Sequence, residues 1–313
     1  MEGRALKVGT RGSRLALWQA GRVLSLLPAP AEIVVVRTSG DRLADAPLQG
    51  QETVGFFTRE IEKALVDGSV DLAVHSLKDL PTAQPPGLVV AAILERHDPG
   101  DLLLVRPQAL DRSLPMPVRR SGRVGAGSLR RRSALVDLRP DLEAALVRGN
   151  VDTRVRRTVE GKVDAIVLAR AGVARLGLDV SPLCAFDIDP EVWIPAPGQA
   201  AIAVEIRADD EEALAAVRGL DHGPTRACVE LERRLLVASG GGCHSPFAAW
   251  ARPGPQALVA SVASPAPGGA WRRASFAGSP AEIEAAARLW LAGGCPEGVA
   301  PGDAPAFLPA RPW

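Results

Sequence analysis

The first third of the chain alternates two hydrophobic patterns. Short apolar runs, "LKVGT", "EIVVVRT" and "VDLAVHS", read as strands. Between them, "SRLALWQAGRVLSLL" and "TREIEKALVDG" repeat apolar residues at helical spacing. Ser13 is suited to cap the first helix and Gly68 to end the second. Strands that alternate with helices predict a parallel sheet covered on both faces.

The middle repeats the theme. "DLLLV", "RVGAGS" and "VDAIVLAR" read as strands, "SLRRRSALVDL" and "TRVRRTVEG" as helices, and "AIAVEIR" as a further strand. This predicts a second α/β domain. Beyond about residue 220 comes a long helix, "PTRACVELERRLLVASG", then a glycine run. A strand pattern, "ALVASVA", and a last helix, "PAEIEAAARLWLAGG", follow it. That tail predicts a smaller α+β domain. The connections "PTAQPPG", "RPQALDRSLPMP" and "IPAPGQ" are rich in Pro and Gly.

Composition narrows the function classes. At 313 residues, two or three domains are expected. A net charge of +1 gives no bulk electrostatic case for nucleic acid or an anionic membrane. No apolar stretch is long enough to span a bilayer, and the N-terminus lacks a signal-peptide core, so a cytoplasmic protein is the expectation. The four cysteines, Cys184, Cys228, Cys243 and Cys295, lie far apart with no CxxC pair, which argues against a zinc site or a disulfide framework; no metal is expected.

Three features carry candidate chemistry. "VHSLKDLPT" sets Lys78 and Asp79 directly after a strand, and ligands of open parallel sheets bind at the carboxyl ends of strands. The plain alternative is a solvated turn. The stretch from Arg119 to Arg175 is dense in arginine. In "VGAGSLRRR", Arg130 and Arg131 occupy the first turn of a helix, where cations oppose the dipole; a bound polyanion would explain them. "VRGNVDTRVRR" repeats the device with Arg148 and Arg154. Arg132, Arg156 and Arg157 read as a solvated face. The stretch lacks the Lys-Ser/Thr end of a Walker loop and has no interleaved aromatics, so a small ligand with several carboxylates fits best. Third, "ASGGGCHSPF" sets Cys243 after three glycines, which lets backbone and thiol approach a ligand. Its plain alternative is a buried structural thiol.

Taken together, "GTRGSRLALWQA", "VVVRTSGD", "VDLAVHSLKDLPT", "VGAGSLRRR", "VRGNVDTRV", "LARAGVARLG", "IPAPGQAAIAVE" and "SGGGCHSPF" resemble one family, the porphobilinogen deaminases, also called hydroxymethylbilane synthases. The resemblance covers essentially the whole chain. It implies two α/β domains like type II periplasmic binding proteins and a smaller C-terminal α+β domain. Their bounds would be 1–97 with 196–216, then 98–195, then 217–313. It implies a monomeric transferase that joins four porphobilinogen molecules into hydroxymethylbilane, releasing ammonia. A dipyrromethane cofactor, attached by a thioether to Cys243, would prime the chain. Asp79 would be catalytic. Ser13, Lys78, Ser128, Arg130, Arg131 and Arg154 would hold the cofactor. Arg11, Gln19, Arg148, Asn150, Arg175 and Gln199 would hold substrate or the growing chain.

The sequence departs from the usual family pattern in three places. Ala126 and Gly127 stand where a Thr-Ser pair is common, Val54 replaces a lysine, and Ser39 replaces the arginine of "TRGD". Two rivals stay open on residues alone: a non-catalytic binding protein on the same scaffold, and an inactive homologue.

Overall fold

The computed structural model describes residues 4–39, 58–191, 193–242, 245–254, 257–266, 270–294 and 307–309. The chain forms two compact units, Met1–His97 with Gly198–Ala227, and Asp98–Pro197 with Cys228–Trp313.

The first unit opens with β1 (Leu6–Thr10), α1 (Arg14–Leu24), β2 (Ala31–Val35), α2 (Arg59–Val66) and β3 (Leu72–Ser76). A single 3-10 turn, Leu77–Asp79, follows β3 without a break, and β4 (Leu88–Ile93) comes next. The second unit supplies β5 (Asp101–Val105), β6 (Arg123–Ala126), α3 (Leu129–Leu138), β7 (Glu143–Leu146) and α4 (Val151–Val159). It continues with β8 (Ala165–Ala169), α5 (Arg170–Arg175) and β9 (Cys184–Ile188). The chain then returns to the first unit for β10 (Ile202–Arg207), α6 (Glu211–Val217) and the start of α7 (Gly223–Ala238). Beyond α7 lie β11 (Ala248–Pro253), β12 (Leu258–Pro265), β13 (Trp271–Gly278), α8 (Pro280–Leu291) and β14 (Phe307–Pro309).

The first sheet has the order β2-β1-β3-β10-β4. β1 is parallel to β2 and β3, while β10 is antiparallel to β3 and β4. The second sheet has the order β14-β9-β5-β8-β6-β7; β6 is parallel to β7 and β8, and β5 is antiparallel to β8 and β9. Each sheet is therefore mixed, where the alternation of patterns predicts a parallel one. The reason is the same twice. β5 and β10 each begin just after the chain has passed from one unit to the other, so neither is bound by a crossover helix to run parallel. Read from the parallel edge inward, both sheets begin alike: three parallel strands, then an antiparallel one, followed by β4 in the first sheet and by β9 and β14 in the second. The α/β class expected from the sequence is what the structure shows.

The hydrophobic pattern accounts for the layers. In β5, Leu102 and Leu104 face a core with Val155, Ile166 and Val173, while Leu103 and Val105 face Leu135, Val124 and Val167. A strand apolar on both sides needs a cover on both, and that is why "DLLLV" shows no alternation. The first sheet is covered likewise, by Ala20 and Val23 of α1 with Ala213 and Val217 of α6, and by Ile61 and Leu65 of α2. The segment 217–313 is the one expected from the sequence as a smaller third domain. Its residues up to Ala227 group with the first unit and those from Cys228 with the second. The three-stranded antiparallel sheet β11-β12-β13 nevertheless has a core of its own, with Leu231, Phe247, Val262, Phe276, Ile283 and Trp290. Among the described residues no helix is long and apolar enough to cross a membrane.

One turn in the first unit is tightly determined. Gly198 and Ala200 both adopt positive φ, 71° and 70°. A Cβ on Gly198 would lie 3.0 Å from Leu77 Cγ and 3.3 Å from the Lys78 amide nitrogen. The Leu77 amide donates to the Ala201 carbonyl at 3.1 Å. This turn therefore packs directly on Leu77–Asp79. Gly198→Ala combines left-handed strain with tight contacts on Leu77 and the Lys78 amide and is expected to destabilise the protein by roughly 1–3 kcal/mol. Urea unfolding checks this; a loss below about 0.5 kcal/mol, the range of neutral surface changes, would mean that the turn relaxes freely.

Candidate active site and cofactor site

In the first unit the sequence-predicted residues gather at one edge of the sheet. β1 and β3 are parallel neighbours, so the segments leaving their carboxyl ends emerge side by side. Arg11 and Ser13 leave β1; Lys78 and Asp79 leave β3. Ser13 caps α1 as expected, its hydroxyl accepting from the Ala16 amide at 3.3 Å. Gln19, one turn further along α1, is buried and bonds to Ser76: its amide donates to Ser76 Oγ at 2.9 Å, and the hydroxyl donates back to Gln19 Oε1 at 3.1 Å. It thus braces the last residue before the 3-10 turn. Gln199, entering β10 from the opposite direction, reaches the same edge because Ile202 pairs with Ser76. It is 1% exposed; Lys78 Nζ donates to its Oε1 at 3.5 Å, and Arg96 Nε donates to its carbonyl at 2.8 Å. Asp79 itself is exposed to solvent.

In the second unit the predicted arginines also share one sheet edge. β6, β7 and β8 are parallel, and Ser128, Arg148 and Arg170 follow their carboxyl ends. Ser128 caps α3 and accepts from the Arg131 amide at 3.3 Å. Arg130 and Arg131, in the first turn of α3, point inward and are both buried. They meet Asp101, the first residue of β5. Arg131 grips it as a fork, Nε to Oδ2 at 3.0 Å and Nη2 to Oδ1 at 2.7 Å. Arg130 Nη2 donates to Oδ2 at 2.7 Å, and its Nη1 donates to the Ile194 carbonyl at 2.7 Å. Trp193 Nε1 adds a further donor to Oδ2 at 2.9 Å. Burial alone would raise the Asp101 carboxyl, but the two guanidiniums together outweigh it and hold the group far below the usual carboxylate range.

Arg154 belongs to the same edge. Its Nε donates to the Gly149 carbonyl at 2.6 Å, and its guanidinium lies against Gly127 in the β6–α3 turn. A Cβ on Gly127 would fall onto that guanidinium, 3.0 Å from Cζ. Asn150 is the N-cap position of α4, without a side-chain cap bond, and is exposed. Arg148 is half-buried and its carbonyl accepts from Arg157 Nη1 at 3.0 Å. Arg175, in the last turn of α5, is largely enclosed, and loss of hydration takes its guanidinium down to about 10. It remains a cation at neutral pH. Cys243 and Val54 lie outside the described residues. Ser39, the third departure from the family pattern, donates through its amide to Glu60 Oε1 at 2.8 Å.

The arginine density has two origins. Arg119, Arg123, Arg139, Arg156 and Arg170 pair with Asp164, Glu143, Asp141, Glu160 and Asp187, and these are ordinary ion pairs of the unit. Arg156 is solvated as expected, whereas Arg157 is not simply solvated, since it holds the Arg148 carbonyl. Asp101 and Trp193 are parts of the site that sequence reasoning missed. The available signal was an acid opening an otherwise apolar strand, "DLLLV". It pointed to a buried carboxylate, but only the sheet order brings β5 to the start of α3.

Two mixed sheets flanked by helices, one with a lysine–aspartate turn at its strand ends and the other with arginines at its strand ends, define a two-unit α/β protein with cationic groups suited to anionic ligands. The comparisons identify it further. The family model "Porphobilinogen deaminase, dipyromethane cofactor binding domain" matches residues 6–215. The porphobilinogen deaminase of Syntrophobacter fumaroxidans is 44% identical over 289 residues, 90% of this chain and 91% of the relative. That of Desulforudis audaxviator is 46% identical over 83% of this chain and 85% of its own length. Among solved structures, the Bordetella pertussis BvgS periplasmic VFT2 domain matches 68% of this chain and 85% of its own, at 13% identity and a TM-score of 0.40. The chain belongs to the porphobilinogen deaminase family, transferases of tetrapyrrole biosynthesis that polymerise porphobilinogen, and carries the family's dipyrromethane cofactor binding domain.

The Gly127–Arg154 contact gives a test of site geometry. Gly127→Ser displaces the far end of a flexible side chain, so stability is expected to change by no more than about 0.5 kcal/mol. The guanidinium must move, yet serine is common in the family at this place, so the fraction of protein bearing cofactor, read by intact mass, is expected to be kept; a fall would mean that Arg154 needs its place against Gly127. Unchanged loading would mean that Arg154 does its work from its displaced position.

Proposed function

We propose that this chain joins four porphobilinogen molecules head to tail, releasing ammonia at each step, and that its own residues divide the work between a carboxylate and an arginine row. The observation that supports the reading is the gathering of Arg130, Arg131, Arg148 and Arg154 at the carboxyl ends of β6 and β7, with Arg175 one helix beyond β8. Each pyrrole carries an acetate and a propionate, so substrate and product are polyanions. Arginine's planar fork suits carboxylates, and half-buried guanidiniums hold them more strongly than solvated ones.

The donor set fits a dipyrromethane. Cationic side chains at strand ends, two helix N-termini with Ser128 and Asn150 as cap residues, and the close approach at Gly127 suit a flat ligand with several carboxylates. Ser13, Lys78, Ser128, Arg130, Arg131 and Arg154 would hold it. The Cys243 thiol would anchor it through a thioether, so this cysteine is an anchor and not a turnover nucleophile. When bound, the cofactor supplies the terminal pyrrole carbon to which the first substrate unit is joined.

Asp79 is given the catalytic role. Ammonia loss from porphobilinogen breaks the aminomethyl C–N bond, the electron pair leaves with nitrogen, and positive charge spreads over the pyrrole. A carboxylate near the pyrrole N–H lowers the energy of that charge and can help carry the proton released when the next bond forms. Lys78 sits beside it in the same 3-10 turn and is tied to buried Gln199, which orients the turn. Arg11, Gln19, Arg148, Asn150, Arg175 and Gln199 are assigned to incoming substrate and growing chain. Gln19 would act from its place against Ser76. The reading also takes residues 217–313 as the cofactor-anchoring domain, and the protein as a cytoplasmic monomer.

Asp79→Asn keeps the size of the side chain and removes its charge. Substrate binding is expected to survive, while single-turnover ammonia release by the cofactor-bearing protein falls by at least ~10²-fold. Release at the wild-type rate would return Asp79 to an ordinary turn residue. Cys243→Ser is expected to leave the chain at its bare mass and inactive, whereas Cys184→Ser and Cys228→Ser keep the added pyrrole mass. A Cys243→Ser protein with cofactor and full activity would remove the anchor from the scheme.

A further inference from the structure

We infer that Asp101 is a positioning residue for the cofactor-binding arginines, acting through Arg130 and Arg131 and touching no substrate itself; the inference rests on the reading that those arginines hold cofactor carboxylates. Consecutive residues of a helix normally diverge by about 100° around its axis. Here two successive guanidiniums converge on one carboxylate. They also stand at the positive end of the α3 dipole, so two sources of like charge act against their closeness. Without an anion between them they would be driven apart.

Asp101 supplies that anion from a rigid base. It is 1% exposed, and it opens β5 opposite Ala169 and Ile188, so its backbone is held on both sides. Trp193 Nε1 donates to the same carboxylate and fixes its rotation. The fork from Arg131 sets the plane of that guanidinium, and the Ile194 carbonyl sets that of Arg130. Two cations and one anion leave the cluster with a net single positive charge. The arginines are thereby held close and oriented, yet still attract a further carboxylate. Fold stability alone does not call for this arrangement, because well-packed apolar residues usually serve a buried position as well or better than an ion triad.

The test uses the full-length chain purified from cells, with intact mass giving the ratio of cofactor-bearing to bare protein in the folded, monodisperse fraction. Asp101→Asn keeps the shape and removes the charge. The ratio is expected to fall at least about tenfold, the equivalent of one weakened charge-assisted bond. Asp101→Glu restores the charge and is expected to recover part of the ratio. Leu135→Ala, a core change in the same helix that leaves the cluster intact, controls for loosening; it is expected to melt lower and still load fully. Arg131→Leu reports on the underlying reading and is expected to lose cofactor.

If Arg131→Leu fails to load and Asp101→Asn loads like wild type, the inference is overturned and the reading stands. If Arg131→Leu loads like wild type, the reading itself falls, and the inference with it. Should Leu135→Ala load as poorly as Asp101→Asn, general loosening suffices and Asp101 is only structural. Where Asp101→Asn yields no folded protein, Asp101→Glu decides: a ratio between those of Arg131→Leu and wild type supports the inference, and a wild-type ratio overturns it.

Discussion

Burying a guanidinium completely is costly without an anion beside it, because loss of hydration disfavours the charged form by more than packing returns. Arg130 and Arg131 are nearly inaccessible, and a single carboxylate, Asp101, answers both. Much of the second unit follows from that requirement. Asp101 must open a strand that lies beside β8, so that it comes to the edge from which α3 departs. The indole of Trp193 and the carbonyl of Ile194 must come back to the same spot after β9. The cluster therefore joins a helix start, a strand start and a returning loop. Each is far from the others in sequence.

The first unit solves a related problem differently. Its turn aspartate, Asp79, stays exposed, and rigidity is placed beneath it instead. Gln19 holds Ser76, the Gly198–Ala200 turn packs on Leu77, and Gln199 takes a bond from Lys78. A charged side chain that is not itself packed gains a fixed position from a rigid backbone beneath it. A group that only holds a permanent carboxylate can be built into the interior. The two units share a strand arrangement but differ in where they put their charge.

The family assignment and this arrangement fit together without depending on each other. Relatives of similar length carry the name, and the cofactor domain is matched over most of both units. The second sheet brings several helix and strand ends to one edge, and arginines occupy them. Gly127 is a local detail of the same edge. The absence of a side chain there is what lets the Arg154 guanidinium lie against the turn.

Local pattern was enough for a large part of the molecule. "VDLAVHS" running into "LKD" marks a strand end with an acid on it, and the structure has β3 followed at once by the 3-10 turn. Ser13 and Ser128 are legible as caps because capping depends only on residues a few places apart. The sense of β5 and β10 was not legible. Each is an apolar run whose direction depends on where the chain comes from, and periodicity carries no direction. The pairing of Asp101 with Arg130 and Arg131 was likewise invisible, since nothing near "DLLLV" states which helix will start beside it. The arginines looked like a site for an external polyanion, and two of them already have an anion from the chain itself. Sequence determined which segments are strands and helices and which residues can carry charge. Only the order of strands in the sheet decided which charges meet, because that order brings together residues whose separation along the chain no local rule spans.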